Sequence, residues 1–223
     1  MKEGKLIVIE GACDGIGKTT QYNMLIKHLE KDGLKITNHH FPSYNTYQGE
    51  PTTRYLKGEF GKPNELSPYF INSLYAIDRA ITWIQDLKAL YDQGNIILLD
   101  RYTTSSLIYQ SALIDNIEEK KKFIDYIIDF EYNKLKIKKP DQVIFLSAPF
   151  DLVTKMRNER KENEGVEKDI HESDIEFMKK VYENANFVCD YLGWNKVDCH
   201  DGDRMCSPEI IHDKIYELVK EQL

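Results

Sequence analysis

Short apolar runs and longer amphipathic stretches alternate along the chain. The runs at residues 6–9, 96–99 and 143–146 are apolar throughout, as in parallel strands that are buried on both faces. A further strand is expected over about residues 36–41, and a short fifth strand around Val197. This alternation predicts an α/β fold, with a five-stranded parallel sheet flanked by helices.

Start and stop signals place helices between these strands. Gly33 fits the end of the first helix, and Ser67-Pro68 predicts the beginning of a long helix that continues to about residue 91. Ser207-Pro208 marks the beginning of the last helix. Other helices are predicted from about residue 105 and over about 118–135, 151–161 and 174–191, with a helical turn around 53–56. Because no repeat or low-complexity linker divides the chain, residues 1–223 are expected to form one domain.

Composition narrows the classes of protein that fit this pattern. Hydrophobic residues make up 41% of the chain, enough for a core, and no apolar run approaches the ~20 residues of a membrane helix. No signal peptide is expected at the start. The net charge of −7 argues against nucleic acid as a partner. The four cysteines form no CxxC pair, which favours a reducing, cytoplasmic setting: Cys13, Cys189, Cys199 and Cys206.

The turn after the first strand carries the strongest chemical signal. It ends in Gly-Lys-Thr, as does a Walker A loop, in which backbone N–H groups and the start of the next helix enclose a phosphate. Lys18 is predicted to reach the β- and γ-phosphates of ATP, and Thr19 to hold Mg²⁺. The predicted phosphate cradle consists of Gly15, Gly17, Lys18, Thr19 and Thr20. The alternative is an unrelated Gly-rich turn, which has no need of Lys-Thr at this point.

The third predicted strand ends in Asp100, where a buried carboxylate would be costly without a partner. In parallel α/β sheets the ligand crevice lies beyond the carboxyl ends of the strands, so Asp100 is expected beside the phosphate loop. It is therefore predicted to act with Thr19 on Mg²⁺, through water. Arg101 offers a planar fork for a second phosphate group. The alternative is an Asp-Arg pair that only caps a strand end.

These motifs, taken together, resemble those of the thymidylate (dTMP) kinases, in order and spacing over nearly the whole chain. The residues that carry the resemblance are Glu10-Gly11, Asp14, Gly17-Lys18-Thr19, Phe41-Pro42, Tyr75, Arg79, Asp100-Arg101-Tyr102 and residues 105–110. The resemblance implies a P-loop nucleoside monophosphate kinase fold and transfer of the ATP γ-phosphoryl group to dTMP with Mg²⁺. It also implies a homodimer that packs through helices.

The resemblance further implies roles for individual residues. Tyr75 falls where an aromatic ring stacks on thymine, and Arg79 where an arginine hydrogen-bonds that base. Arg101 matches the arginine that binds the dTMP phosphate, and Asp14 the acid near the 3′-hydroxyl and the transferred group. The other substrate positions are Phe41, Pro42 and Ser105, Arg54 on the phosphate side, Ser106 and Gln110 at the base edge, and Tyr109 against the ribose 2′ position.

Structural alternatives exist for several of these side chains. Tyr75 and Tyr109 could be core aromatics of helices, with solvated hydroxyl groups. Arg79 could pair with Asp78 or Asp86 on a helix surface, although such an exposed pair contributes only ~0.5 kcal/mol.

A charged segment at about residues 157–172 is predicted to form a LID that closes over the phosphates. Some enzymes of this resemblance place an arginine directly after the Asp of the phosphate loop, whereas this chain has Gly15 there. Positive charge is nevertheless needed as negative charge spreads over the γ-phosphate oxygens. Arg157 and Arg160, three residues apart on one helix face, are the candidates. The alternative is a solvated helix end and loop.

Two departures from the family pattern change the expectations. Ala12 stands where the first glycine of the phosphate loop belongs, so the loop has one extra residue after Gly11. Ser43 stands where many relatives carry Arg or Glu near the phosphates. Two rival functions also stay open. One is a kinase for another nucleotide or a deoxynucleoside, and the other is an NTP-binding switch protein without an acceptor.

Overall fold

The computed structural model describes residues 3–12, 15–164 and 175–223. Its centre is a sheet in the order β2-β3-β1-β4-β5, with every neighbouring pair parallel. The strands are β1 (Lys5–Gly11), β2 (Ile36–His40), β3 (Ile96–Asp100), β4 (Gln142–Ser147) and β5 (Asn195–Asp198). The predicted five-stranded parallel sheet is therefore confirmed.

Helices connect the strands and cover both faces of the sheet. They are α1 (Lys18–Lys31), α2 (Glu50–Leu56), α3 (Pro68–Thr82), α4 (Lys88–Asp92), α5 (Thr103–Tyr109), α6 (Ile117–Ile128), α7 (Phe150–Glu164), α8 (Ile175–Leu192) and α9 (Pro208–Lys220). Two π-helical turns, Trp83–Leu87 and Asp129–Lys134, extend α3 and α6. Short 3₁₀ turns occur at Pro63–Glu65 and Ser111–Leu113.

Alternate residues of β1 face opposite sides of the sheet, and both sides are apolar. Ile7 and Ile9 pack in one core cluster with side chains of α1 and α9. Leu6 and Val8 pack in a second cluster with Ala80 of α3 and the aromatic residues that follow it. The strand is thus buried on both faces, as its unbroken apolar pattern predicts.

The predicted helix boundaries agree with the structure to within a few residues. The long helix expected over 67–91 is α3, the π turn and α4 in succession, and the helix expected over 118–135 is α6 with its π turn. Sequence analysis missed the hairpin of β6 (His200–Asp201) and β7 (Arg204–Met205). Strands of two residues are too short to show a hydrophobic period.

Parts of the predicted functional segments lie outside the described residues. These are Asp14 in the phosphate loop and residues 165–172 of the predicted LID, while the side chain of Arg160 on α7 is also not described. Within the described ranges, no helix combines the length and the apolar character that crossing a membrane requires.

Candidate active site

The parallel pairing of β1 and β3 brings the phosphate loop next to Asp100. Ile9 of β1 is paired with Asp100 of β3, so the turn that follows Gly11 begins at the same edge of the sheet. A cavity of about 250 Å³ lies there. Its lining consists of Lys18, Thr19, His40, Phe41, Pro42, Tyr44, Leu56, Tyr75, Arg79, Asp100, Arg101, Tyr102, Ser105, Ser106, Tyr109 and Gln110. Most of the residues predicted for the two nucleotides therefore line one cavity.

The phosphate loop depends on glycines where the chain turns tightly. Gly15 and Gly17 have φ angles of 94° and 93°, in a region that L side chains rarely adopt. At Gly11, a Cβ atom would lie 2.8 Å from Ile16 Cγ2 and 3.2 Å from Lys18 Cγ. The stem of Lys18 thus lies over the end of β1. Lys18 is buried, and Thr19 and Thr20 at the start of α1 are exposed.

Asp100 is held as a carboxylate at the end of β3. Its side chain is almost buried, and Oδ2 lies 3.1 Å from Nδ1 of His40. Burial alone would raise the pKa of Asp100, but the His40 hydrogen bond and the charges of Lys18 and Arg101 together lower it below its usual value. Oδ1 is buried and has no hydrogen-bond partner among the described residues. This oxygen has the capacity to accept one more interaction.

Arg101 directly follows Asp100 and has a positive φ of 66°, which is unusual for a residue other than glycine. Its backbone N–H donates to Ile9 O at 3.2 Å, which ties the strained residue to β1. Its guanidinium donates to Ser105 Oγ at 3.3 Å and lies 5.6 Å from the centre of the Tyr109 ring. Strain of this kind concentrates at functional sites, where surrounding contacts maintain it.

Glu10 is a buried acidic residue that the sequence analysis assigned no role. It is fully buried, and its Oε2 accepts hydrogen bonds from Thr104 Oγ1 at 2.9 Å and Ser105 Oγ at 2.6 Å. Its Oε1 accepts from the Gly11 backbone and lies 3.7 Å from Nη1 of Arg101. Glu10 therefore connects the end of β1, the start of α5 and Arg101. The sequence feature that could have indicated this role is a charged residue at the end of an otherwise apolar strand.

Arg79 lies inside the protein, and the suggested surface pairing with Asp78 or Asp86 is wrong. Only 1% of Arg79 is exposed, and its Nε and Nη2 each donate to Glu131 at 2.7 Å. Burial by itself would lower the pKa of Arg79, but the charge and hydrogen bonds of Glu131 outweigh it and raise the pKa. Asp78 instead accepts from the backbone N–H of Ser43 at 2.8 Å.

The neighbours of Arg79 are the polar and aromatic residues predicted for the base. Nη2 of Arg79 also donates to Ser106 Oγ at 2.9 Å, and its Cζ lies 6.0 Å from the centre of the Tyr75 ring. Tyr75 is half-buried, so it is a wall of the cavity rather than part of the core. Gln110 and Phe41 are buried at the same cavity. The site thus has a flat aromatic wall beside hydrogen-bonding side chains.

Two positions that the sequence analysis discussed, Arg54 and Ser43, are not part of the cavity lining. Arg54 on α2 is exposed, and its Nε donates to Glu50 Oε1 at 2.9 Å on the same helix. Ser43 is buried, and its Oγ lies 2.9 Å from Nε2 of His39 and 3.2 Å from Oγ1 of Thr82. Neither residue lines the cavity. The hydrogen bonds of Ser43 therefore give it a structural role between β2 and α3.

Arg157 of α7 lies against the phosphate loop. A Cβ atom at Gly15 would lie 3.0 Å from Cβ of Arg157, so an arginine at position 15 would collide with α7. The Nε of Arg157 is buried and has no hydrogen-bond partner among the described residues. The absence of a side chain at Gly15 therefore leaves the space that Arg157 of α7 needs.

Taken together, the strand order, the turn between β1 and α1 and the Asp at the end of β3 place the chain in the fold class of the P-loop nucleoside monophosphate kinases. A solved structure of thymidylate kinase from Candida albicans has the same fold, with a TM-score of 0.74 at 23% identity. The superposition covers 99% of this chain and 92% of that one.

Within that class, the chain belongs to the thymidylate kinase family, whose sequence model matches residues 9–198. A probable thymidylate kinase of Saccharolobus solfataricus is 30% identical over 192 residues, with 83% of this chain and 88% of the relative covered. The thymidylate kinase of Plasmodium falciparum is 27% identical over 199 residues, with 88% and 83% covered. The resemblance described from the motifs is thereby confirmed.

The contact between Gly15 and Arg157 leads to a stability prediction. Gly15→Ala should lower the free energy of unfolding by ~1–3 kcal/mol for the strained φ, and by a further amount because Arg157 must move. Gly33→Ala is the matched control, since Gly33 also has a positive φ of 80° but open space where its Cβ would be. Urea unfolding of both variants measures the difference. Equal losses in the two variants would contradict the close approach of α7.

Proposed function

We propose that this protein transfers the γ-phosphoryl group of ATP to dTMP, with formation of dTDP and ADP. The observation that carries the proposal is the lining of one cavity by both halves of such a site. Lys18 and Thr19 belong to the donor half, and Tyr75, Arg79 and Arg101 to the acceptor half. An in-line transfer requires the phosphates of ATP and dTMP to lie next to each other. The adjacent ends of β1 and β3 would hold them in this arrangement.

On the donor side, Lys18 and the backbone of Gly15, Gly17, Thr19 and Thr20 would bind the ATP phosphates at the start of α1. Thr19 and Asp100 would hold Mg²⁺. The buried Oδ1 of Asp100 fits this role, since no described residue forms a hydrogen bond with it. Among the described residues no group of three His, Cys, Asp or Glu could hold a metal. This is consistent with Mg²⁺, which usually takes one or two protein ligands together with phosphate and water. When bound, Mg²⁺ neutralises charge on the phosphate oxygens.

On the acceptor side, Tyr75 would stack on the thymine ring while Arg79, Ser106 and Gln110 hydrogen-bond its edge. Tyr109 would crowd a ribose 2′-hydroxyl group and so favour deoxyribose. Arg101, held by Glu10 and Ser105, would bind the dTMP phosphate as a preorganised donor. Phe41, Pro42 and Ser105 would complete the walls of the dTMP site. Asp14 would lie near the 3′-hydroxyl group. Arg54 would reach the dTMP phosphate only after its ion pair with Glu50 breaks.

The segment at residues 157–172 would serve as the LID of this single domain. Arg157 already lies against Gly15, where it would face charge that develops on the γ-phosphate. Arg160 on the same helix is the second candidate. Closure would also exclude water and so suppress hydrolysis of ATP.

The Candida albicans relative is described as having broad substrate specificity, so a second nucleotide acceptor is the leading alternative. A switch protein without an acceptor is less well supported, because such a protein does not require the aromatic and arginine half of the cavity.

A homodimer is proposed on the basis of an exposed apolar stripe along α3 and its π turn. Phe70, Ile77 and Ile84 recur every seven residues and are 43%, 46% and 65% exposed. Leu74 and Ile81 lie between them and are half-buried. Apolar stripes of this kind mark contact surfaces between proteins.

A reducing, cytoplasmic setting is also proposed. Cys189 and Cys199 are free and buried, and burial raises the pKa of their thiols to about 11 and about 12. Such thiols stay protonated and react slowly. Recovery of the protein mainly from an oxidising compartment would contradict this setting.

An acceptor screen tests the proposed reaction. With ATP and Mg²⁺, dTMP should give the highest rate of ADP release among dTMP, dUMP, dCMP, dGMP and thymidine. Lys18→Ala should lower kcat by about two orders of magnitude or more, because it removes a donor to the transferred phosphate. Lys27→Ala, an exposed lysine of the same helix, is the control and should keep full activity. Higher turnover of another acceptor, or ATP hydrolysis independent of any acceptor, would overturn the proposal.

The LID assignment predicts a separation of kcat from affinity. Arg157→Ala, alone and with Arg160→Ala, should lower kcat at least about tenfold while the Kd for dTMP stays nearly unchanged, because these side chains act on the γ-phosphate. Lys155→Ala on the same helix is the matched control, since Lys155 is exposed. Weaker dTMP binding with unaltered kcat is the pattern that would reject this role.

The dimer is tested by its size in solution. Sedimentation should give a dimer for the unaltered protein and a monomer for Ile77→Asp, because a charge in the centre of the stripe opposes its burial. Ile210→Asp on α9 is the control, as Ile210 is 52% exposed but lies outside the stripe. A monomeric unaltered protein would remove the proposal.

A further inference from the structure

Two opposite charges are buried together behind the aromatic wall of the site. Arg79 on α3 and Glu131 in the π turn after α6 are 1% and 0% exposed, although 52 residues separate them in the chain. The conclusion drawn from this pair deepens the proposed function and rests on it, because it concerns how the acceptor base is recognised.

Glu131 binds one complete edge of the Arg79 guanidinium. Nε donates to Oε2 and Nη2 to Oε1, both at 2.7 Å, so the pair is bidentate. Thr103 Oγ1 donates to Oε2 of Glu131 at 3.1 Å, which fixes the carboxylate in turn. Ser106 Oγ accepts the second hydrogen of Nη2 at 2.9 Å. The guanidinium plane is therefore determined by three side chains.

The Nη1 end of Arg79 is the part that remains for a ligand. Nη1 carries two N–H groups, and its one hydrogen bond among the described residues is a long contact of 3.4 Å with Tyr102 O. Arg79 lines the cavity beside Tyr75. A guanidinium has no acceptor atom. Arg79 can therefore only donate hydrogen bonds to a ligand in the cavity.

The local structure explains how a carboxylate comes to lie there. Ile127 of α6 is fully buried, and Glu131 comes four residues later on the same face. An isolated carboxylate on an apolar helix face would be unfavourable, so its partner must be close. The helix changes to π geometry over Asp129–Lys134, a feature that is frequent at functional sites.

We infer that Glu131 is a positioning residue, which holds Arg79 so that its donor end selects pyrimidines with a 4-oxo group over those with a 4-amino group. The 4-oxo group of thymine and uracil accepts a hydrogen bond. The 4-amino group of cytosine donates one, so it would oppose the N–H groups of Arg79. Without the bidentate contact, the guanidinium can turn away from the base and discrimination falls.

The primary test compares dTMP with dCMP as acceptor in Glu131→Gln, which keeps the volume but removes the charge. The ratio of kcat/KM for dTMP to that for dCMP should fall about tenfold or more, and the KM for dTMP should rise, because base hydrogen bonds set such ratios. The KM for ATP should change less than about twofold, since the donor half is separate. Asp129→Asn is the matched control, as this carboxylate of the same π turn is half-exposed.

A double-mutant cycle separates positioning from a general structural role. If Glu131 acts through Arg79, then Glu131→Gln should cause no further fall in the dTMP/dCMP ratio in an Arg79→Gln background. An equal fall in both backgrounds would overturn the inference. So would an unchanged ratio in folded Glu131→Gln.

Removal of one partner of a buried ion pair is destabilising, so Glu131→Gln could fail to fold. Thr103→Val then provides the test, because it removes the hydrogen bond to Oε2 of Glu131 and leaves both charges of the ion pair in place. The ratio should fall about two- to fivefold in this variant, less than in Glu131→Gln, because the bidentate contact with Arg79 remains. An unchanged ratio in Thr103→Val would overturn the inference.

Equilibrium binding of dTMP and dCMP to each variant, without ATP, distinguishes failure of the inference from failure of the proposed reaction. An unaltered protein that binds dTMP better than dCMP, but does not phosphorylate it, overturns the reaction only. An unaltered protein that phosphorylates dTMP, combined with a Glu131→Gln variant that keeps its binding preference, overturns the inference only.

Discussion

The parallel pairing of β1 with β3 is the contact on which the whole site depends. It places Ile9 opposite Asp100, so the glycine turn and the Asp-Arg pair emerge at the same edge of the sheet. The backbone N–H of Arg101 bonds to Ile9 O, which holds this residue in a conformation that few side chains adopt. A shift in this register would move Asp100 and Arg101 at the end of β3 away from Lys18 and Thr19, which follow β1.

Two buried acids then give the arginines of the site their orientation. Glu10 accepts hydrogen bonds from the hydroxyl groups at the start of α5 and lies near Arg101. Glu131 forms a bidentate contact with the Arg79 guanidinium. Each acid is completely buried, so its charge is acceptable only because hydrogen bonds and an arginine surround it. The cavity therefore has donors that are already in place before a ligand binds, which is the basis of preorganised recognition.

The phosphate loop has glycine at position 15, and an arginine of α7 lies close to that position. Gly15 leaves room for Arg157, because a Cβ atom at position 15 would lie 3.0 Å from Cβ of Arg157. Sequence analysis expected positive charge from this segment because the loop lacks an arginine. The close approach could not be predicted, since α7 follows β4 and its distance from the loop depends on how the strands are ordered in the sheet.

The hydrophobic pattern of the chain was sufficient for the five strands of the central sheet and most helices, because these depend on neighbouring residues. The motifs were sufficient for the family and for most of the residues that line the cavity, but they did not include His40, Tyr44 or Leu56. Only the tertiary structure determined the partners of those residues. Glu131, the partner of Arg79, is 52 positions away in the chain, and Arg54 turns to Glu50 rather than toward the cavity. The pairing of Arg79 with Glu131 depends on which helices pack together in the fold, and neighbouring residues do not determine that. Arg54 and Glu50, in contrast, are one turn apart on the same helix.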